Sequence, residues 1–122
     1  MFPLKLDHDF GELTSYGCVS NLGAALVAGS PEASGKAIFG SPGDPVFVGL
    51  FGCTTGKFRV TYPYSEHGTV LRGQATLTDE ASGQKVSYGP GDSWFVEAGK
   101  VVLWEIDTAT FVKQYLAITA VD

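Results

Sequence analysis

Apolar and polar residues alternate along much of the chain after residue 45. In the segment KFRVTY, from Lys57 to Tyr62, every second side chain is apolar. A period of two places successive side chains on opposite faces, which is typical of a strand with one face in a core. The alternation therefore predicts a β-strand here, with Phe58, Val60 and Tyr62 on its buried face.

Similar strand signals recur every ~8–12 residues from Val46 onward, and glycine-containing turns separate them. The predicted strands are Val46–Cys53, Lys57–Tyr62, His67–Arg72, Gln74–Asp79, Gln84–Tyr88, Ser93–Glu97, Val101–Ile106 and Phe111–Thr119. Regular short strands joined by tight turns indicate an all-β sandwich or barrel with little helix.

The first 45 residues have a different pattern. No clear period runs from Asp7 to Ser20, and only Ala24–Ala28 and Lys36–Phe39 resemble short strands. This part has too few large apolar residues to fold alone. We therefore predict a single domain, in which residues 1–45 form an N-terminal arm with edge strands and residues 46–122 form the barrel.

Composition narrows the function classes. A net charge of −5 argues against a nucleic-acid partner, because phosphates require a basic surface. No apolar run approaches the ~18 residues of a membrane span, and the first residues do not resemble a signal peptide.

Cys18 and Cys53 are too isolated for a metal site, and two lone cysteines fit a reducing compartment. We expect a cytoplasmic protein with no nucleic-acid or membrane partner. His8, between Asp7 and Asp9, is expected in a solvated terminal segment.

Two stretches resemble the paired sequence motifs of the cupins. In the first, Glu66 and Gly73 match the final glutamate and glycine of the motif. In the second, Gly91 and Gly99 match the two glycines of the motif. The resemblance implies a cupin jelly-roll β-barrel, a fold that closes all-β structure on itself.

Within the cupins, four short pieces look most like the ureidoglycine aminohydrolase-type domain, which the ethanolamine-utilisation Q proteins share. These pieces are Gly56–Val60, Gly91-Asp92, Trp104-Glu105 and Lys113-x-Tyr115. Cupins of this kind pair through edge strands, so the resemblance also implies a homodimer.

The resemblance further implies a divalent metal held by three histidines and the glutamate. In this chain the histidine positions carry Val60, Tyr62 and Val102, which are poor or impossible ligands. We therefore expect no tightly bound metal. The alternative is weak binding of Mn²⁺ or Zn²⁺ by Glu66 with His67. Adjacent residues of a strand point to opposite faces, so this pair requires a bulge.

Aromatic residues around Glu66 predict either an apolar cup for a small molecule or a barrel filled by its own rings. The predicted ligand-binding residues of the barrel interior are Glu66, Tyr62, Tyr64, Trp104, Lys113 and Tyr115. The function predicted is binding of a small metabolite; the alternative is a metal-assisted enzyme acting on a small nitrogenous metabolite. The sequence leaves open whether the protein is an enzyme. Replacing Glu66 with Gln is expected to leave stability within about 1–2 kcal/mol of the wild type while abolishing ligand or metal binding.

Overall fold

The computed structural model describes residues 1–6 and 9–119, so the expectation for His8 lies outside the described residues. A single 3₁₀ turn, Val19–Leu22, is the one helical element in those ranges. The strands are β1 Thr14–Cys18, β2 Ala25–Ala28, β3 Glu32–Phe39, β4 Val46–Cys53, β5 Gly56–Thr61, β6 Ser65–Arg72, β7 Ala75–Asp79, β8 Lys85–Tyr88, β9 Ser93–Val96, β10 Val101–Ile106 and β11 Phe111–Ile118.

The strands form two antiparallel sheets that face each other. The first has the order β1-β3-β4-β11-β6-β9, and the second has the order β2-β5-β10-β7-β8. Strands that neighbour each other in space are often far apart in sequence, as β11 lies between β4 and β6. This connectivity is that of a jelly roll, and the predicted all-β fold is confirmed.

The strands after residue 45 lie where the alternation predicted them, with ends that differ by at most two residues. The prediction for the arm was less complete. β3 begins at Glu32 rather than Lys36, and β1 was not predicted at all. β1 is mostly exposed and its pairing with β3 is irregular between Ser15 and Gly17, so it has no clean hydrophobic period. β1 and β2 are edge strands of the two sheets.

The main core lies between the sheets. Phe58, Val102 and Trp104 project from the second sheet, and Val70 and Phe111 project from the first. Each is almost fully buried. In the second sheet, Phe58, Val102 and Trp104 alternate with exposed or half-exposed neighbours, which is the pattern that a sheet with one inner face requires.

A smaller core covers the opposite face of the first sheet. Leu50, Leu71 and Val112 alternate with inward residues of β4, β6 and β11, and they pack against Phe10 of the N-terminal segment. The first sheet is therefore apolar on both faces, and the N-terminal segment shields the outer one from water. No helix in the described part of the chain is long and apolar enough to cross a membrane.

Candidate functional site

The site is built around Glu66, a charged residue on the inner face of β6. Its side chain is 0% exposed, although the surrounding core is apolar. Strand alternation places Glu66, Gly68 and Val70 on the inner face, whereas His67 is exposed. A carboxylate at this depth must be paired and hydrogen-bonded, because burying an unpaired charge is very unfavourable.

Three side chains donate hydrogen bonds to the Glu66 carboxylate. The Lys113 ammonium donates to Oε1 at 2.8 Å, while the Tyr62 hydroxyl and the Trp94 indole donate to Oε2 at 2.9 and 3.0 Å. The Trp104 indole in turn donates to the Tyr62 hydroxyl at 3.2 Å. These five residues, Glu66, Lys113, Tyr62, Trp94 and Trp104, are called the Glu66 cluster below.

Strand pairing explains how the cluster assembles. β6 lies between β11, which carries Lys113, and β9, which carries Trp94. Trp94 lies directly opposite Gly68, and a Cβ atom on Gly68 would lie 2.6 Å from the indole. The glycine therefore lets the indole lie flat across the strand and reach Glu66.

The Lys113 ammonium is enclosed by aromatic rings as well as paired with Glu66. Its Nζ atom lies 4.6 Å from the Trp104 centroid, 5.0 Å from that of Tyr115, 5.2 Å from that of Phe51 and 5.8 Å from that of Trp94. Each distance is within the range of a cation–π interaction. The side chain is 7% exposed, so water screens these attractions little.

The structure brings together all six residues that the sequence predicted for the barrel interior. Tyr62, Glu66, Trp104 and Lys113 are buried. Tyr64 and Tyr115 are half-buried at the rim: the Tyr64 ring contacts the Tyr62 ring edge-on, and the Tyr115 ring contacts the Lys113 ammonium. Whether these residues bind a ligand remains a prediction.

Trp94 is the cluster member that the sequence prediction left out. Its strand, β9, has only four residues, so its alternation was a weak signal. The pairing with Gly68 could have identified it only if the neighbouring strand had been known.

The donor set does not fit the divalent metal that the cupin resemblance implies. Glu66 is buried and its two oxygens already accept three hydrogen bonds, one of them from an ammonium. The expected histidine positions hold two valines and Tyr62, whose hydroxyl donates to Glu66. No group of three or more His, Cys, Asp or Glu side chains in the described residues could hold a metal ion.

His67 and the cysteines lie apart from this chemistry. The structure does not bring His67 to Glu66 as a second ligand: the imidazole is exposed on one face of β6 and the carboxylate is buried on the other.

Cys18 and Cys53 are free thiols. Burial raises the pKa of Cys53 to about 12, which suppresses the reactive thiolate.

The tyrosines near Glu66 are held in their neutral form. Burial, and then the negative charge of Glu66, raises the pKa of Tyr62 well above its usual value of 10.0. Burial and Glu66 also raise the pKa of Tyr64. Burial is the main cause of the raised pKa of Tyr115, with contributions from Tyr64 and Glu66. All three hydroxyls therefore stay protonated to a higher pH than an ordinary tyrosine hydroxyl does.

A cleft of about 120 Å³ opens beside the cluster, between β9 and the second sheet. Its lining includes Trp94 and Val102, together with Lys100, whose Nζ atom is 3.9 Å from Asp79 Oδ2. The residues that line the cleft are Leu77, Asp79, Gln84, Val86, Tyr88, Trp94, Phe95, Val96, Glu97, Lys100 and Val102. Trp94 is thus the residue that the cleft shares with the Glu66 cluster.

Comparisons with known proteins agree with this architecture. A family described as an EutQ-like cupin domain matches residues 40–115. The EutQ protein of Clostridium difficile is 22% identical with a TM-score of 0.63, over 75% of this chain and 71% of that one. A putative ethanolamine utilization protein Q of Salmonella typhimurium is 16% identical with a TM-score of 0.62, over 91% and 100%.

A protein of unknown function of the DUF861 family from Pseudomonas syringae pv. tomato is 19% identical with a TM-score of 0.74. That alignment covers 92% of this chain and 46% of the other. At such identities the structural likeness supports the fold alone. No curated protein sequence matches the chain.

Glu66→Gln is expected to destabilise the protein by about 3–5 kcal/mol, because it leaves the Lys113 ammonium buried without a counter-charge. This is more than the sequence alone suggested, since the sequence did not reveal the pairing. Chemical denaturation measures the effect. Glu105→Gln, which removes only partly exposed ion pairs with Lys57 and Lys85, is the control and should change stability by less than about 1 kcal/mol. Equal losses in the two variants would contradict the buried pair.

Stability should fall in alkaline solution. Because folding raises the pKa of Tyr62, Tyr64 and Tyr115, the native state binds more protons than the unfolded chain above the ordinary tyrosine pKa of 10.0. The stabilisation is complete below that pH and is lost as the pH rises further. Urea titrations from about pH 8 to pH 11 should show this loss. Tyr62→Phe should reduce the slope of the unfolding free energy against pH above pH 10. An unchanged slope would argue against a raised pKa of Tyr62.

Proposed function

The chain belongs to the EutQ-like cupin family, and we propose that it binds a small metabolite in the cleft beside the Glu66 cluster. The observation that carries the proposal is the paired state of Glu66. Its charge is neutralised by Lys113 at 2.8 Å, so the barrel interior serves as a rigid wall rather than as a metal centre. The cleft provides the adjoining open space, and Trp94 joins the two.

The size of the cleft suits a ligand of few non-hydrogen atoms. Its volume is about 120 Å³, and an apolar cavity of ~150 Å³ accommodates benzene. Typical pockets for drug-sized ligands are larger, at ~300–1,000 Å³. The proposed ligand is therefore a small metabolite rather than a nucleotide or a cofactor.

The lining suits a ligand with both polar and apolar parts. Trp94, Tyr88 and Val102 contribute apolar surface to the lining, while Lys100 and Glu97 contribute opposite charges. A small molecule with a carboxylate or carbonyl at one end and an N–H group at the other can pair with both charges. Amino acids and ureido acids have this character.

The Glu66 cluster contributes to binding by fixing part of the cleft lining in place. The hydrogen bond from Trp94 to Glu66 holds the indole in one orientation, and Gly68 leaves no other side chain beneath it. A lining that is already ordered loses less conformational entropy when a ligand binds. In this proposal Glu66 and Lys113 position the cleft without contacting the ligand.

We expect N-carbamoylglycine, glycine or ethanolamine to perturb the indole N–H resonance of Trp94 in a two-dimensional NMR titration. Lys100→Met should weaken the binding of a carboxylate-bearing probe about tenfold or more, because it removes a charge-assisted hydrogen bond. Lys85→Met removes an exposed lysine outside the cleft and is the matched control. Unchanged affinity in Lys100→Met, or shifts confined to another surface, would refute binding in the cleft.

We also propose that the protein forms a homodimer through the edge strand β2. Residues 19–31 carry no charge, and Leu22, Leu26 and Val27 of this stretch are 51%, 43% and 47% exposed. Edge strands that remain unpaired in solution normally carry charges or prolines that prevent further pairing. β2 has neither, so a second copy of the same edge is a suitable partner.

Light scattering at micromolar concentration should give the mass of a dimer for the wild type and of a monomer for Val27→Glu. A charge at this edge would be buried or would repel its symmetry mate in the dimer. Phe95→Glu alters a residue that is 61% exposed on β9, at the edge of the other sheet, and should remain dimeric. A monomeric wild type would exclude the dimer.

A further inference from the structure

The surroundings of Lys113 point to a binding site that the protein fills with its own side chain. We propose that the barrel interior is a recognition site for a primary ammonium group and that Lys113 is its tethered occupant. This proposal concerns the interior of the Glu66 cluster and stands independently of ligand binding in the cleft.

The contacts around Lys113 Nζ are those by which proteins recognise ammonium ligands. One carboxylate oxygen lies at 2.8 Å, and the centroids of Trp104 and Tyr115 lie at 4.6 and 5.0 Å. Phe51 and Trp94 complete the enclosure at 5.2 and 5.8 Å. A ring of aromatic faces with an acid on one side is the arrangement of an aromatic cage for alkylammonium groups.

The same contacts select against a divalent cation. Mn²⁺ and Zn²⁺ require several oxygen, nitrogen or sulfur ligands, and aromatic faces supply none. One oxygen of Glu66 accepts a hydrogen bond from the ammonium, and the other accepts hydrogen bonds from Tyr62 and Trp94. In this chain Lys113 therefore provides the positive charge that a metal provides where the full cupin ligand set is present.

The proposal predicts that the site will accept an external ammonium when the tether is cut. Lys113→Ala removes three carbons and the amine, which together have the shape of n-propylammonium. The variant leaves Glu66 buried without a counter-charge, so an ion of this shape should bind to the native state and stabilise it.

The experiment measures the melting temperature of Lys113→Ala as n-propylammonium chloride is added. A saturable rise is expected, and 1-propanol, which has the same shape without the charge, should bind about tenfold more weakly or not at all. Wild type, in which the site is filled, should show no saturable rise with either compound. Sodium chloride at the same concentration is the control for screening of charges by added salt.

Three outcomes would overturn the proposal. One is an equal response of Lys113→Ala to n-propylammonium and 1-propanol, because the cavity would then select shape alone. Another is an equal response of the wild type and the variant to n-propylammonium. The third is stabilisation of Lys113→Ala by Mn²⁺ or Zn²⁺ but not by n-propylammonium, which would identify a metal site that the lysine had blocked.

A second pair of variants tests the proposal if Lys113→Ala does not fold. Lys113→Met should lower the melting temperature, because it leaves the charge of Glu66 unpaired. The double variant that combines Lys113→Met with Glu66→Gln should recover much of the lost melting temperature, because neither buried charge then remains. A double variant whose loss equals the sum of the two single losses would show that the two groups do not recognise each other.

Discussion

The buried ion pair between Glu66 and Lys113 is the interaction on which the interior depends. A carboxylate with no exposure cannot remain charged in an apolar core unless protein groups replace its water. Lys113, Tyr62 and Trp94 provide that replacement, and Trp104 orients Tyr62 through its own hydrogen bond. The requirement to satisfy one charge therefore fixes the orientation of four large side chains.

The group that meets this requirement is an ammonium on the neighbouring strand. The fold positions an acid on the inner face of β6, and the neighbouring residues determine the cation that it meets. Val60 and Val102 cannot ligate a metal, whereas Lys113 reaches the acid from the adjacent strand. Within a shared fold, the chemistry of a site thus depends on a few side chains around one position.

The prediction of strands succeeded where a segment is rich in buried apolar residues and failed where it is not. β10 was placed with its observed ends because buried and half-exposed residues alternate within it, and β4 because it is a short apolar run that is buried on both faces. β1 was missed because most of its residues are exposed and its pairing with β3 slips by one residue. Phe10 and its segment gave no periodic signal, because they cover the outer face of the first sheet as an irregular strap.

The sequence and its cupin resemblance predicted that Glu66 faces the barrel interior together with aromatic residues. A period of two groups the side chains that share a face, and the resemblance identifies which face lies inside. The sequence also indicated that the usual metal ligands are missing. Only the tertiary structure decided that Lys113, 47 residues away, pairs with Glu66 and that Trp94 completes the cluster. Those contacts arise from the order and register of β11, β6 and β9 within one sheet. Local pattern does not encode that order, because long-range strand pairing depends on how the whole core packs.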